Sequence, residues 1–293
     1  MERERKVRFM EKQFFILVAL LLASTAFADP KVIYGEDNRV DAYASGDSAL
    51  VELSRSTAVM IPSGNIKKNF WTGVVEIKAK SLREYGVCAT ERFVNQPTAG
   101  NCSAFLVSEK HLVTAGHCIK NAKCPSDSFV FDYRMDNESQ INLKPAASNI
   151  YKCKSVVSHA LNNSNKDDYA LIELDRKVTG RRPLEFRRSG KVEKGAKLVV
   201  IGYPTGLPLK IADGASVRES GSVFFTADLD TFGGNSGSAV FNRDTHEIEG
   251  ILVRGEKDYV QKGSCKVPNI FSQNEGRGED VTHITNVKGL TSL

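Results

Sequence analysis

The chain has 293 residues, 41% of them hydrophobic and 26% charged, with a formal net charge of +5. So mild a basic excess does not mark a nucleic-acid binder, and the one dense basic run, Arg181-Arg182 to Arg187-Arg188, reads as a solvated loop. With no internal repeat and no low-complexity tract, the length suits one large all-β domain or two small lobes sharing a cleft.

At the N-terminus, Arg3, Arg5, Lys6, Arg8 and Lys12 precede an apolar run from Phe14 to Ala23 and the small residues ending at Ala28. That order predicts a signal peptide over residues 1–28. The apolar run is roughly half the ~20 residues a membrane span requires, so no membrane anchor is expected after cleavage, and the mature chain is expected to be secreted or periplasmic. Residues 29–65 combine a turn-like cluster, Gly35-Glu36-Asp37-Asn38-Arg39, with weak alternation, and read as an N-terminal extension or a propeptide.

From there on, short β-branched runs separated by turn signals dominate: Gly73 to Ile77, Ala104 to Val107, Phe129 to Phe131, Ala170 to Leu174, Lys197 to Ile201 and Ile248 to Val253. Such spacing argues for barrels or sandwiches rather than βαβ units. Arg176 to Gly195, polar and basic with Gly180 and Gly190 inside it, reads as the link between two halves. Six cysteines remain after signal removal: Cys88, Cys102, Cys118, Cys124, Cys153 and Cys265. An even number in an exported chain favours three disulfides. A metal site near His117, Cys118 and Cys124 lacks any C-x-x-C pair and zinc-module spacing, so neither metal nor cofactor is expected.

Three segments carry chemistry together that none carries alone. Leu112-Val113-Thr114-Ala115-Gly116-His117-Cys118 runs a strand into a turn bearing an imidazole, and Asp168 stands immediately before the apolar run Tyr169-Ala170-Leu171-Ile172. Thr231-Phe232-Gly233-Gly234-Asn235-Ser236-Gly237-Ser238 sets a serine in a glycine-rich turn. A serine hydroxyl is a poor nucleophile without a base, a histidine is suited to that task near neutral pH, and a buried aspartate fixes the imidazole's tautomer. An α/β-hydrolase is excluded, because position 238 is serine rather than glycine and the order is His, Asp, Ser.

In this order the three motifs resemble those of the chymotrypsin-like (trypsin-type) serine proteases, from about Phe70 to about Val287. The resemblance implies His117, Asp168 and Ser236 as catalytic triad and the amides of Gly234 and Ser236 as oxyanion hole. It further implies an all-β fold of two antiparallel six-stranded barrels, about 66–177 and about 188–287, within a protease domain of 66–293, with the active site in the cleft between them. Cys102, sixteen residues before Cys118, matches the family's histidine-loop disulfide. The pairing of the other four stays open, with Cys124–Cys153 and Cys88–Cys265 as the expected pairs. Gly-Asn-Ser-Gly-Ser at 234–238, the short interval from Asp168 to Ser236, and the tail Gly278-Glu279-Asp280-Val281-Thr282 are similar to secreted bacterial trypsin-like and glutamyl-endopeptidase-like enzymes.

For substrate binding, the trypsin-type pattern puts Asp230 at the base of the specificity pocket, with Thr231 beside it and Arg254 on the wall. A preference for Lys or Arg on the acyl side of the cut bond follows. Arg254 either folds in to neutralise Asp230 or points to solvent. Leu252 occupies the place of the histidine that assists glutamate specificity. The expected partners are protein or peptide substrates, with no nucleic acid, and the enzyme is expected to act as a monomer. The competing reading is a catalytically silent binding or adhesive relative of the same fold.

Overall fold

The computed structural model describes residues 32–293, so the signal peptide expected over 1–28 lies outside the described residues. Among these residues no helix is long and apolar enough to cross a membrane. The chain begins with β1 (Ile33–Tyr34), β2 (Arg39–Asp41), the short helix α1 (Ser48–Ser54) and β3 (Thr57–Ile61). An inserted arm follows, made of the hairpin β4 (Ile66–Lys68) and β5 (Val75–Ile77) and the pair β6 (Lys80–Ser81) and β7 (Pro97–Thr98). The first lobe is completed by β8 (Cys102–Ser108), β9 (His111–Thr114), β10 (Ser128–Phe131), β11 (Ile150–Tyr151), β12 (Cys153–Leu161) and β13 (Asp168–Leu174). Residues 175–196 form no helix and no extended strand, and Phe186 makes an isolated bridge with Ile248.

The second lobe runs through β14 (Lys197–Gly202), β15 (Lys210–Ser220), β16 (Phe224–Ala227), β17 (Ala239–Asn242) and β18 (Ile248–Arg254). Then come the hairpin β19 (Tyr259–Lys262) and β20 (Cys265–Pro268), β21 (Ile270–Phe271), which pairs in parallel with β1, and β22 (Glu279–His283). Strands β14-β17-β18-β22-β16-β15 close on themselves, because β14 also pairs with β15, and β2 adds to the outside of β15. The first lobe departs from the closed six-stranded barrel expected of it: β11-β10-β3-β8-β9-β13-β12 is a curled sheet whose edge strands do not pair. Side chains bridge that gap instead. Arg176 Nη2 donates to Ile150 O at 2.7 Å, and a disulfide joins Cys124 to Cys153 at the start of β12.

Why the strands read as continuous apolar runs becomes clear from the two faces they bury. In β14, Leu198 and Val200 fill the second barrel, whereas Val199 and Ile201 face a core shared by both lobes. In β8, Ala104 and Leu106 fill the first lobe while Phe105 and Val107 join that shared core. Alternate residues thus serve different cores, and the shared one locks the lobes together around the cleft. Strand β3 belongs to this scheme: its five residues are all buried between β8 and β10. It lies before residue 66, within the segment expected to be an extension or propeptide.

Candidate active site

After β9 the chain tightens into one 3₁₀ turn, Gly116–Cys118. A Cβ on residue 116 would lie 2.0 Å from Ala160 O and 2.9 Å from Tyr169 O, so only glycine lets the turn rest against β12 and β13. This contact sets the His117 ring over the first residue of β13, Asp168, which is 2% exposed. Asp168 Oδ2 lies 2.9 Å from His117 Nδ1, and Oδ1 accepts the backbone N–H of His117 at 3.0 Å. With a carboxylate as its partner, Nδ1 carries the proton and Nε2 keeps its lone pair.

Opposite, the serine turn is framed by Gly234 at φ +96°, where a Cβ would come 2.6 Å from Tyr203 O. Ser103 of β8 clamps this turn from the first lobe: its N–H donates to Ser236 O at 2.7 Å and its Oγ to Gly234 O at 2.9 Å. Those two carbonyls are held toward β8, and the amides of Gly234 and Ser236 have no acceptor among the described residues. A pair of uncommitted amides is what an oxyanion requires. The Ser236 carbonyl lies 3.8 Å from Cys118 Sγ, which puts the serine beside the histidine turn. Among the described residues no hydrogen bond joins Ser236 Oγ to His117, and such catalytic bonds commonly tighten only when substrate is bound. Asn235 is buried, and its Oδ1 accepts the Ser238 hydroxyl at 3.2 Å.

A cavity of about 120 Å³ opens beside Ser236, lined among others by Thr231, Leu252, Arg254, Asp258 and Glu279. Asp230, expected at its base, does not line it. Its Oδ1 accepts the N–H of Tyr34 at 2.9 Å and its Oδ2 that of Asn38 at 2.8 Å, so its carboxylate anchors the N-terminal strand behind the wall. Burial pushes that carboxyl up to about 6. Arg254 takes neither of its two expected courses: Nε donates to Asp280 at 3.1 Å, Nη2 to Lys166 O at 2.9 Å, and Nη1 lies 3.5 Å from Asp168 Oδ2. The carboxylates of Asp280 and Asp168 hold the guanidinium of a residue that itself lines the cavity.

Three acids line the cavity, Glu256, Asp258 and Glu279, and the sequence reading singled out none of them as a site residue; Glu279 is the most deeply held. It is 2% exposed, and accepts hydrogen bonds from Thr231 Oγ1 at 2.8 Å, Tyr34 OH at 3.3 Å and the Glu256 N–H at 3.3 Å. Burial is the main cause that pushes its carboxyl up to about 8. Gly255 makes room for it, since a Cβ there would sit 1.8 Å from Oε2. Asp258 accepts the Gly233 N–H at 2.8 Å, and burial raises its carboxyl too. Adjacent acids opening a short strand, Glu279-Asp280-Val281, were the available signal.

All three expected disulfides are present: Cys88–Cys265, Cys102–Cys118 and Cys124–Cys153. They fit an oxidising compartment. Cys102, His117 and Cys118 come close enough to suggest a metal cluster. Both sulfurs are bound in one disulfide, however, and a metal needs the thiolate.

Two antiparallel β lobes, an imidazole held by a buried carboxylate on one, and a glycine-framed serine on the other define the class of chymotrypsin-like serine endopeptidases. The model of the trypsin-like peptidase domain matches residues 102–251, and the chain belongs to that family. Its fold is similar to that of a Glu endopeptidase solved in complex with MPD, with a TM-score of 0.51 and 16% identity over 89% of this chain and 96% of that one. It is also similar to the Vibrio cholerae VesB protease, with a TM-score of 0.52 and 15% identity over 85% of this chain and 64% of the other. No curated protein matches the sequence.

Proposed function

We propose that the protein is an exported, monomeric endopeptidase that cuts protein or peptide substrates through an acyl-enzyme on Ser236, with His117 as base and Asp168 as its anchor. The observation that carries this reading is the double hold of Asp168 on His117, at 2.9 Å on Nδ1 and 3.0 Å on the backbone N–H. With Nδ1–H bound, Nε2 takes the Ser236 proton as Oγ attacks the carbonyl carbon. The amides of Gly234 and Ser236 meet the oxyanion, and the same proton passes to the departing amine. Water then attacks the ester as His117 accepts its proton, and that proton passes to Ser236 Oγ as the acyl C–O bond breaks and the acid product leaves. Residues 32–65 stay with the mature enzyme in this proposal, because they supply β3 and the strand that Asp230 holds.

The preference for Lys or Arg is retained in this proposal but moves to another acid. Glu279, with Asp258 and Glu256 beside it, gives the cavity a carboxylate lining, and a substrate cation would restore the charge that burial suppresses in Glu279. The test of the chemistry is direct. Ser236→Ala and His117→Ala each lower kcat by on the order of 10⁶, and Asp168→Ala by on the order of 10⁴. A fluorophosphonate labels Ser236 in the parent; a folded parent that is neither labelled nor proteolytic returns the protein to the silent-relative reading.

A further inference from the structure

The inserted arm between β3 and β8 carries the most exposed apolar side chains of the described residues. Phe70 and Trp71, at the turn of the β4–β5 hairpin, are 88% and 90% exposed, and Val74 beside them is 49% exposed. The hairpin forms a sheet of its own. Its turn is nonetheless ordered: Asn69 Oδ1 accepts the N–H groups of Trp71 and Thr72, both at 2.9 Å, and the Asn69 and Gly73 amides close it on the backbone. The two rings meet edge to face with centroids 5.4 Å apart. Large aromatic groups kept in water by an ordered turn imply a surface to be covered.

The charges around the tip say what covers it. Lys67 and Lys68 sit on β4 itself, and Lys144 joins them along one flank, where Glu76 is the one acid. All three lysines are exposed, and none has an ion-pair partner among the described residues. On the other flank Lys68 lines a cavity with Lys152 and with Arg176, which is paired with Asp175. Burying one or two aromatic side chains gives only marginal affinity, so stable attachment needs a second, electrostatic contribution. A fluid interface accepts an irregular aromatic tip without a shaped pocket, while its anionic headgroups reach the lysines at the base of the tip.

We infer that the β4–β5 hairpin is a peripheral, reversible docking element for an anionic lipid surface, with Phe70 and Trp71 entering the interface and Lys67, Lys68 and Lys144 meeting the headgroups. Trp71 is the one tryptophan in the sequence, so its emission reports on this tip alone. The full chain is titrated with vesicles of phosphatidylcholine, alone or mixed with phosphatidylglycerol. Emission moves to shorter wavelength on the mixed vesicles and returns when salt is raised. Lys67→Ala/Lys68→Ala lowers partitioning about 30-fold, and Phe70→Ala weakens it further, with hydrolysis of a soluble peptide unchanged in both. Four results overturn the inference: no emission shift on any vesicle, an equal shift on both kinds, binding indifferent to these substitutions, or a concentration-dependent shift without vesicles, which would assign the tip to a second copy of the chain.

Discussion

At the scale of single residues, Glu279 has the clearest consequence for pH. Burial pushes its carboxyl up to about 8 in the fold from an ordinary 4.5. Between those values the native protein keeps a proton that the unfolded chain has released, so stability falls as pH rises through that window. Glu279→Gln keeps the hydrogen-bonding shape and removes the titration. Its melting temperature declines less than the parent's between those pH values, read by thermal unfolding in matched buffers. On the proposed Lys/Arg preference the same proton governs substrate choice: the ratio of kcat/KM for Arg over Phe substrates is expected to rise with pH in the parent and to stay flat in Glu279→Gln, the His117 contribution cancelling in the ratio. Asp230→Ala separates anchor from pocket. It leaves the buried amide of Tyr34 without an acceptor, at about 1–3 kcal/mol, while the amide of the exposed Asn38 turns to water, yet it leaves the Arg/Phe ratio in place. A collapse of that ratio in Asp230→Ala with none in Glu279→Gln would return the pocket base to Asp230.

At the scale of elements, legibility followed local chemistry. The histidine turn, the aspartate before its strand and the glycine-framed serine are each defined by neighbours in sequence, and the sequence marked all three. Strand β3 went unread because both its faces are buried, so Thr57-Ala58-Val59-Met60-Ile61 shows no alternation, and because turn signals dominate what precedes it. Glu279 went unread because its burial depends on Thr231, Tyr34 and Gly255, up to 245 residues away. Asp230 was misplaced for a related reason: the two amides that satisfy it belong to a segment with no local tie to the serine loop. From β3 comes a test of the N-terminal segment. A chain starting at Val32 retains β1, β2 and β3 and folds, whereas one starting at Ile66 lacks the strand between β8 and β10, exposing both neighbours' unpaired backbone groups. Far-ultraviolet circular dichroism and gel filtration distinguish them, and a folded, active chain from Ile66 would show the whole segment to be dispensable.

At the scale of the whole molecule, the three disulfides divide by what they join. Cys124–Cys153 lies within the first lobe, where it spans the gap of an open sheet at a sequence separation of 29. Cys88–Cys265 spans 177 residues and ties the inserted arm of the first lobe to the β19–β20 hairpin of the second. Backbone pairing reinforces that tie: Cys88 donates to Lys266 O at 2.9 Å and Lys266 to Gly86 O at 2.8 Å. The hairpin follows directly on Asp258, and its Tyr259 packs on Phe232 with ring centroids 5.1 Å apart, its OH lying 2.9 Å from Thr205 Oγ1. The long bridge therefore braces one wall of the cavity beside Ser236. Removing either bridge as a double Cys→Ser change costs about 2–5 kcal/mol, so the loss of stability alone does not tell them apart. Activity does: below its melting transition, the Cys88→Ser/Cys265→Ser chain has a raised KM and a reduced Arg/Phe ratio, because the wall carrying Asp258 and Tyr259 is no longer held. The Cys124→Ser/Cys153→Ser chain keeps both near parental values, since that bond supports the far side of the first lobe. Equal kinetic losses in the two variants, measured at equal distance from their own melting temperatures, would mean that the long bridge stabilises the fold without shaping the pocket.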